Sequence, residues 1–247
     1  MGLSTGGCSA PEAGVAVNLG SVHPAGWHEA ESRVRAVSPG GTLGNIRYLG
    51  IDLAWGEGSP TKRARETGVA AIDGSGTVLD AGWARGIDEV EAWVLEVATP
   101  GAIIAIDAPL LVLNATGMRL AEREVGRGYG RYRVAANASN LALGWLGGVT
   151  LRRRLEASGF RYIDGLSPME AGATSMFECY PYTTLVGMEE LGYDLERPRY
   201  KRFVKSLPVA EARVVRQAAC DELITRMRML DAADPHSISP RIRSPAC

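Results

Sequence analysis

The chain has 247 residues, 46% of them hydrophobic and 22% charged, with a formal net charge of −1. This is the composition of a globular protein of one ordinary domain, and the bulk charge does not indicate a nucleic-acid binder, so only local basic clusters could. No stretch approaches the roughly 20 apolar residues of a membrane span, and no basic segment followed by an apolar run predicts a signal peptide.

The cysteines and histidines argue against several classes of enzyme. The four cysteines are scattered without a C-x-x-C pair, which favours a reduced, cytoplasmic protein. The three histidines, His23, His28 and His236, all fall in segments that we predict to be tails. A domain without histidine argues against a Ser-His-Asp hydrolase, a Cys-His enzyme and a His-rich zinc site.

Composition divides the chain into three parts. Residues 1–44 are rich in Gly, Ala, Ser and Pro without a hydrophobic period, which predicts a flexible N-terminal extension. Residues 45–231 carry the periodic apolar patterns of one folded domain. Residues 232–247 contain several prolines and little apolar content, which predicts a disordered tail.

The first half of the domain predicts a small meander followed by a crossover. The sequence Asp73-Gly74-Ser75-Gly76 joins two strand patterns and is typical of a hairpin turn. A helix pattern then lies between two strand patterns, an order that implies a right-handed crossover and parallel pairing. In chain order the predicted elements are strands 46–55, 67–73 and 77–84, helix 87–98 and strand 102–107.

The second half predicts a helical insertion, interrupted around GRGYGRYR, before the chain returns to the sheet. On the last predicted helix we expect Val214, Val215, Leu223 and Met227 to be buried. The predicted elements are the insertion at 116–158, a loop at 158–173 with a short strand at its start, a strand at 174–180, an irregular segment at 182–208 and a helix at 209–229.

Three short apolar segments each carry a carboxylate at or near their end. They are YLGIDLAW with Asp52, AIIAIDAP with Asp107 and SMFECYP with Glu178. An ionised side chain at the end of a buried strand is costly unless a cation or another partner compensates it. Because ligands bind at strand ends in α/β folds, and acids without histidine or thiol partners favour hard cations, we expect Mg²⁺ or Mn²⁺ there.

The motifs GIDLAW, IDAPL, FECYP and ACDELI, spread over roughly residues 46–229, resemble the DUF429 family of predicted nucleases. The resemblance implies an α/β domain with a ribonuclease H-like mixed sheet, helices on both faces and a helical insertion. It also implies a catalytic, metal-binding set made of Asp52, Asp107, Glu178 and Asp221. Asp221 shares a helical arc with apolar residues, so we expect its side chain to face inward.

The implied chemistry is metal-dependent hydrolysis of phosphodiester bonds in DNA or RNA. Asp52 and Asp107 on adjacent parallel strands would have backbones about 4.8 Å apart. Their carboxylates could then bridge two metal ions at the separation of roughly 3.5–4 Å used in such hydrolysis.

Two basic clusters are candidate contacts for the nucleic-acid substrate. Residues 119–154 contain eight Arg and two Glu, and RPRYKRFVK at 197–205 contains five basic residues and interleaved aromatics. Such clusters bind phosphates, and unpaired bases stack on aromatic rings. The predicted substrate-binding residues are Arg119, Arg199, Lys201 and Arg202, with Glu122 in position to line the same cleft. Four tryptophans, Trp55, Trp83, Trp93 and Trp145, are predicted to lie in the core.

Two other functions remain open at the level of sequence. An actin- or hexokinase-like phosphotransferase or ATPase would keep the strand order, but it needs a Gly-rich phosphate loop after the first strand. The bulky Trp55 at that place disfavours it. A non-catalytic binding module on the same fold is the third possibility.

Overall fold

The computed structural model describes residues 46–54, 61–166, 170, 172–201 and 206–233. Of residues 231–233 it describes the backbone alone. The chain divides into two compact units, Met1–Ser32 and Arg33–Cys247, and every described residue belongs to the second. The predicted extension at 1–44, almost all of the predicted tail, Trp55 and Arg202 lie outside the described residues.

The described chain alternates strands and helices. The strands are β1 (Tyr48–Asp52), β2 (Glu66–Ile72), β3 (Val78–Arg85), β4 (Ile103–Ile106), β5 (Arg161–Tyr162) and β6 (Ser175–Glu178). The helices are α1 (Gly86–Val97), α2 (Leu120–Tyr129), α3 (Gly147–Ala157), α4 (Pro181–Gly187) and α5 (Val209–Ala233), with 3₁₀ turns at Gly130–Tyr132 and Glu189–Leu191. None of these helices combines the length and the apolar composition needed to cross a membrane.

All six strands form one mixed sheet in the order β3-β2-β1-β4-β6-β5. The first three are antiparallel neighbours, whereas β1, β4, β6 and β5 run parallel to one another. The predicted hairpin turn is present, because the carboxylate of Asp73 accepts hydrogen bonds from the amides of Ser75 and Thr77. The predicted meander and the mixed α/β class are therefore confirmed. The strand after α1, β4, does pair in parallel, but with β1 and β6 and not with β3, the strand before the helix.

The main core lies on one face of the sheet. Alternate residues of the central strands, such as Leu49, Ile51 and Ile104, point to this face and pack against α1 and α3. Trp93 of α1 is 1% exposed, as predicted, and its indole nitrogen donates to the buried carboxylate of Asp80 at 2.7 Å. Burial of each large apolar side chain stabilises the fold by roughly 1.5–3 kcal/mol. Most of the buried apolar residues belong to this cluster, so this face provides most of the described core.

The opposite face of the sheet, which we call the open face, is not covered by the described helices. Tyr48, Gly50 and Asp52 of β1 are exposed there, and Trp83 of β3 is 60% exposed. The expectation of helices on both faces is therefore not met by the part of the chain that the structure describes. The prediction that Trp83 is a core residue is wrong, because strand alternation places its side chain on the open face.

A second apolar cluster forms around α4 and α5. Its buried residues are Val134, Val186, Leu191 and Tyr193, and Leu223 and Leu230 of α5 pack against them. The prediction of an irregular 182–208 is wrong at its start, because Pro181 at the first helical position begins α4.

The burial expected along α5 is also only partly present. Leu223 packs against the second cluster, but Val214 is 69% exposed, Val215 43% and Met227 52%. The apolar residues of α5 lie on several sides of the helix, and within the described part of the chain one side of it packs against the second cluster. The prediction of burial is therefore wrong for these three residues.

Candidate active site

Three carboxylates lie along one edge of the sheet, at the ends of its parallel strands. Asp52 ends β1, Asp107 follows β4 and Glu178 ends β6. Regular pairing sets their relative heights, since the amide of Asp107 donates to the carbonyl of Ile51 at 2.8 Å. All three line one cleft of about 250 Å³. The structure thus brings together the three strand-end acids that the sequence singles out.

Asp52 and Asp107 share a cation supplied by the protein itself. The ammonium of Lys201 lies 2.8 Å from Oδ2 of Asp52 and 3.3 Å from Oδ2 of Asp107. Its nitrogen also lies 5.9 Å from the ring centre of Tyr182 and 6.0 Å from that of Tyr200, within the range of a cation–π contact. Lys201, predicted as a phosphate contact, is here the counterion of the acid pair.

Burial and neighbouring charges shift the ionisation of this group. Burial, with a smaller contribution from the neighbouring Asp52, raises the pKa of Asp107 to about 6, although Lys201 acts in the opposite direction. Burial lowers the pKa of Lys201, but the hydrogen bond to Asp52 and the two carboxylate charges outweigh it and raise that pKa above its ordinary value. Lys201 is therefore a stable cation near neutral pH, whereas Asp107 is close to its titration point.

Glu178 is neutralised by a different cation. The guanidinium of Arg119 donates two hydrogen bonds to the two oxygens of Glu178, at 2.6 and 2.8 Å. The amide of Leu110 donates a third at 2.9 Å. Both oxygens of Glu178 are thus occupied, and the bidentate geometry is the strong form of such a pair.

Arg119 is engaged on its other side as well. Its Nε donates to Glu122 at 2.8 Å, and one terminal nitrogen donates to the carbonyl of Leu111 at 3.0 Å. Glu122 is 3% exposed and also accepts from the amide of Ser139 at 2.9 Å. Burial raises the pKa of Glu122, but these hydrogen bonds outweigh it and hold that pKa below its usual range. Arg119, predicted to bind substrate, is the centre of a partly buried ion cluster.

The donor set of the cleft fits one divalent cation better than two. Lys201 occupies the place where Asp52 and Asp107 converge, so a cation can be held there by the same two carboxylates if Lys201 moves. Glu178 already accepts three hydrogen bonds on its roughly four lone-pair sites, so it is a poorer metal ligand than Asp52 or Asp107. Among the described residues, no group of three or more His, Cys, Asp or Glu side chains is placed to share one metal ion.

The charge balance of the cleft favours a further cation. Among the described residues, its lining contains four carboxylates, Asp52, Asp107, Glu122 and Glu178, and two cationic side chains, Arg119 and Lys201. When all six are ionised, two negative charges remain. An anionic substrate would therefore be repelled unless a cation entered with it.

Two of the remaining predicted site residues lie elsewhere. Asp221 on α5 is exposed, accepts a hydrogen bond from Gln217 of the same helix at 2.9 Å and does not line the cleft. The expectation that it faces inward is wrong, because α5 contacts the rest of the chain by another side. The side chain of Arg199 is half exposed and pairs with Glu196, three residues earlier in the chain. Arg202 falls outside the described residues.

The sequence did not indicate several contributors to the cleft. Asn137 and Ser139 line it, and their positions depend on the path of the insertion, for which no local pattern exists. Lys201 was predicted as a substrate contact and not as a counterion. It lies 94 residues from Asp107 in the chain, so no local pattern connects the two. Two acids at adjacent strand ends repel each other, which indicates that a cation or a bound proton compensates them.

Comparison of the chain with protein-family models, with curated proteins and with solved structures finds no match.

Proposed function

We propose that this protein is a metal-dependent nuclease that hydrolyses phosphodiester bonds in nucleic acid. The observation that carries the proposal is the convergence of Asp52 and Asp107 on one cation, the Lys201 ammonium, at the mouth of a cleft. The order of the strands, with an antiparallel meander leading into parallel strands, is compatible with the ribonuclease H-like fold expected from the sequence.

In this proposal Asp52 and Asp107 hold one Mg²⁺ or Mn²⁺ ion. The ammonium of Lys201 neutralises the same two carboxylates when no metal is bound. The metal would polarise a phosphoryl oxygen and lower the pKa of bound water. Lys201, once displaced, remains beside the cleft and can offset the charge of a phosphate. Arg119 and Glu178 do not act on the substrate and fix the wall of the cleft.

The rival phosphotransferase is less well supported. A nucleotide-binding loop after the first strand presents free backbone amides to phosphate. Here the amide of Ala54, two residues after Asp52, donates to the hydroxyl of Thr67 at 3.0 Å, and the side chain of Leu53 is buried. The backbone amide of Ala54 is therefore not free to bind a phosphate.

The test is an assay of the full chain on end-labelled single- and double-stranded DNA and RNA, and on ATP, with Mg²⁺, with Mn²⁺ and with EDTA. We expect cation-dependent cleavage of a nucleic acid and no release of phosphate from ATP. Asp107→Asn, purified in the same way, should lose the activity. This variant is the matched control for contaminating nucleases, because it differs only in that an amide nitrogen replaces one carboxylate oxygen.

The alternatives give other outcomes. Hydrolysis of ATP that Asp107→Asn abolishes would replace the nuclease by the phosphotransferase. Binding of nucleic acid without cleavage under any cation would leave a binding module. Equal cleavage by Asp107→Asn and the unmodified chain would remove the acid pair from the chemistry.

A further inference from the structure

An exposed tryptophan lies in the same row of the sheet as the acid pair. In the register of the sheet, Asp52 of β1 pairs with Gly68 of β2, and Gly68 pairs with Trp83 of β3. Paired residues on antiparallel strands point to the same face, so the side chains of Asp52 and Trp83 both rise from the open face. Only a glycine separates them.

The indole of Trp83 leans towards Asp52 over this glycine. A Cβ atom added at Gly68 would lie 3.6 Å from Cζ3 of Trp83 and 3.8 Å from Cβ of Asp52. The absence of a side chain at Gly68 therefore leaves a shallow groove with the acid on one side and the ring on the other. Trp83 is 60% exposed, which is unusual for so large an apolar side chain.

Basic residues lie at the same end of the sheet, where the chain enters β2. Lys62, Arg63 and Arg65 lie just before β2 and are all exposed. Their position is fixed by Ala64, whose carbonyl accepts a hydrogen bond from Arg85 at the end of β3, at 3.1 Å. The exposed ring, the acid pair and the basic segment thus lie at the same end of the sheet.

We infer that Trp83 is a stacking platform for an unpaired base, so that the substrate is single-stranded nucleic acid. This inference rests on the proposed function, because it places one phosphate at Asp52 and Asp107. The base next to that phosphate stacks on Trp83, and the following phosphates meet Lys62, Arg63 and Arg65. A base in a duplex is stacked on its neighbours and cannot offer its face to the ring.

The test measures binding with Ca²⁺ in place of Mg²⁺ or Mn²⁺, so that a divalent cation can enter with the substrate, and a denaturing gel checks that the strand stays uncleaved. A fluorescent single strand of about 12 nucleotides and the same sequence as a duplex are titrated with the full chain. The variants are Trp83→Ala, Trp83→Phe and, as a matched control, Val78→Ala, which removes another exposed apolar side chain from β3. Thermal melting checks that each variant is folded.

We expect Trp83→Ala to weaken binding of the single strand by about tenfold or more, since stacking on one ring contributes roughly 1–3 kcal/mol per base. Trp83→Phe should retain most of the affinity of the unmodified chain, because it keeps an aromatic ring, and Val78→Ala should leave the affinity unchanged. Replacing Arg63 and Arg65 by Ala should reduce the slope of log affinity against log salt by about 1.4, at roughly 0.7 per phosphate contact.

Equal affinity of Trp83→Ala and the unmodified chain for the single strand would overturn the inference, as would a duplex that binds as tightly as the single strand. Neither result touches the nuclease activity, which is measured separately with cations and Asp107→Asn. Stacking on Trp83 without cation-dependent cleavage would instead support the inference and overturn the proposed function.

Discussion

Two ion clusters lie side by side along the strand ends and differ in how completely they are closed. In the first, Asp52 and Asp107 share the single ammonium of Lys201, and the Asp52 side chain is 56% exposed. In the second, Arg119 binds Glu178 and Glu122, whose side chains are 25% and 3% exposed, and backbone amides complete the set. The same sequence pattern, an acid at a strand end, thus produces two different environments.

The difference separates an exchangeable site from a structural one. A lysine ammonium is a compact point charge on a flexible stem and can be replaced by another compact cation. A bidentate guanidinium with buried partners cannot leave without exposing unpaired charges. The acid pair is therefore the part of the cleft that can bind a ligand, and the Arg119 cluster is the part that holds the cleft in shape.

The largest effect should come from breaking the closed cluster. Arg119→Met would strip both Glu122 and Glu178 of their cation, and loss of one partner of a buried pair costs about 3–5 kcal/mol. We expect the free energy of unfolding in urea to fall by an amount in this range. Arg123→Met, an exposed arginine on the same helix, is the control and should change it by less than about 0.5 kcal/mol. Comparable losses in the two variants would mean that Arg119 holds no buried cluster.

The second effect concerns the open pair. Binding of Mn²⁺ at a concentration about 100 times its Kd stabilises the folded state by roughly 2.7 kcal/mol, which raises the Tm by about 5 °C or more for a chain of this size. Asp52→Asn should abolish the rise, and Lys201→Met should increase it, because a competing cation is removed. Glu178→Gln should melt earlier in EDTA but retain the rise.

The thermal shift also shows which cluster binds. A rise that persists in Asp52→Asn and disappears in Glu178→Gln would assign the cation to the closed cluster. The comparison between the two clusters would then be reversed.

The sequence was informative where local patterns decide the structure. Apolar runs that end in Asp52, Asp107 and Glu178 predicted buried parallel strands, and parallel pairing brings such ends to one edge. The partners of these acids could not be predicted in the same way. Arg119 lies 59 residues from Glu178, and Lys201 lies 94 residues from Asp107, so no spacing rule connects them.

Packing of whole elements was predicted less well, for a related reason. Strand alternation predicted that the side chains of Trp83 and Ala84 point to opposite faces of the sheet. It did not predict which of these faces the helices cover. Along α5, apolar residues such as Val214 and Met227 lie on different sides, so the periodicity did not identify the side that contacts the second cluster. Both errors concern contacts between elements, which one sequence does not encode locally.

A third effect follows from the shared charge of the open pair. The carboxyl carbon of Asp107, followed by NMR, should titrate with a midpoint at about 6. Lys201→Met removes a charge that lowers this pKa, so the midpoint should rise. Asp52→Asn removes a charge that raises it, so the midpoint should fall. Shifts in the same direction for both variants would contradict the arrangement.

The raised pKa of Asp107 also fixes a sign for stability. Because its pKa in the folded state is above the ordinary value of 3.8, the protonated form favours folding, and that contribution is lost as the pH rises through about 6. Asp107→Asn, which stays neutral, should therefore gain stability relative to the unmodified chain between about pH 4 and about pH 8, on the order of 2 kcal/mol. A loss of stability in Asp107→Asn over this range would mean that Lys201 lowers the pKa of Asp107 more than burial raises it.

The smallest effect is expected at the fourth acid. Asp221 lies on the exposed side of α5, where its only described side-chain partner is Gln217, so neither ion cluster includes it. Asp221→Asn should change the free energy of unfolding by less than about 0.5 kcal/mol, and it should leave the Mn²⁺-dependent rise in Tm and the cleavage rate unchanged. Asp52→Asn, with the same change of charge and atoms, is its matched comparison. If Asp221→Asn abolished the rise as Asp52→Asn does, α5 would have to approach the open pair when a cation binds. The site would then be assembled by the ligand, and the acid pair alone would not account for binding.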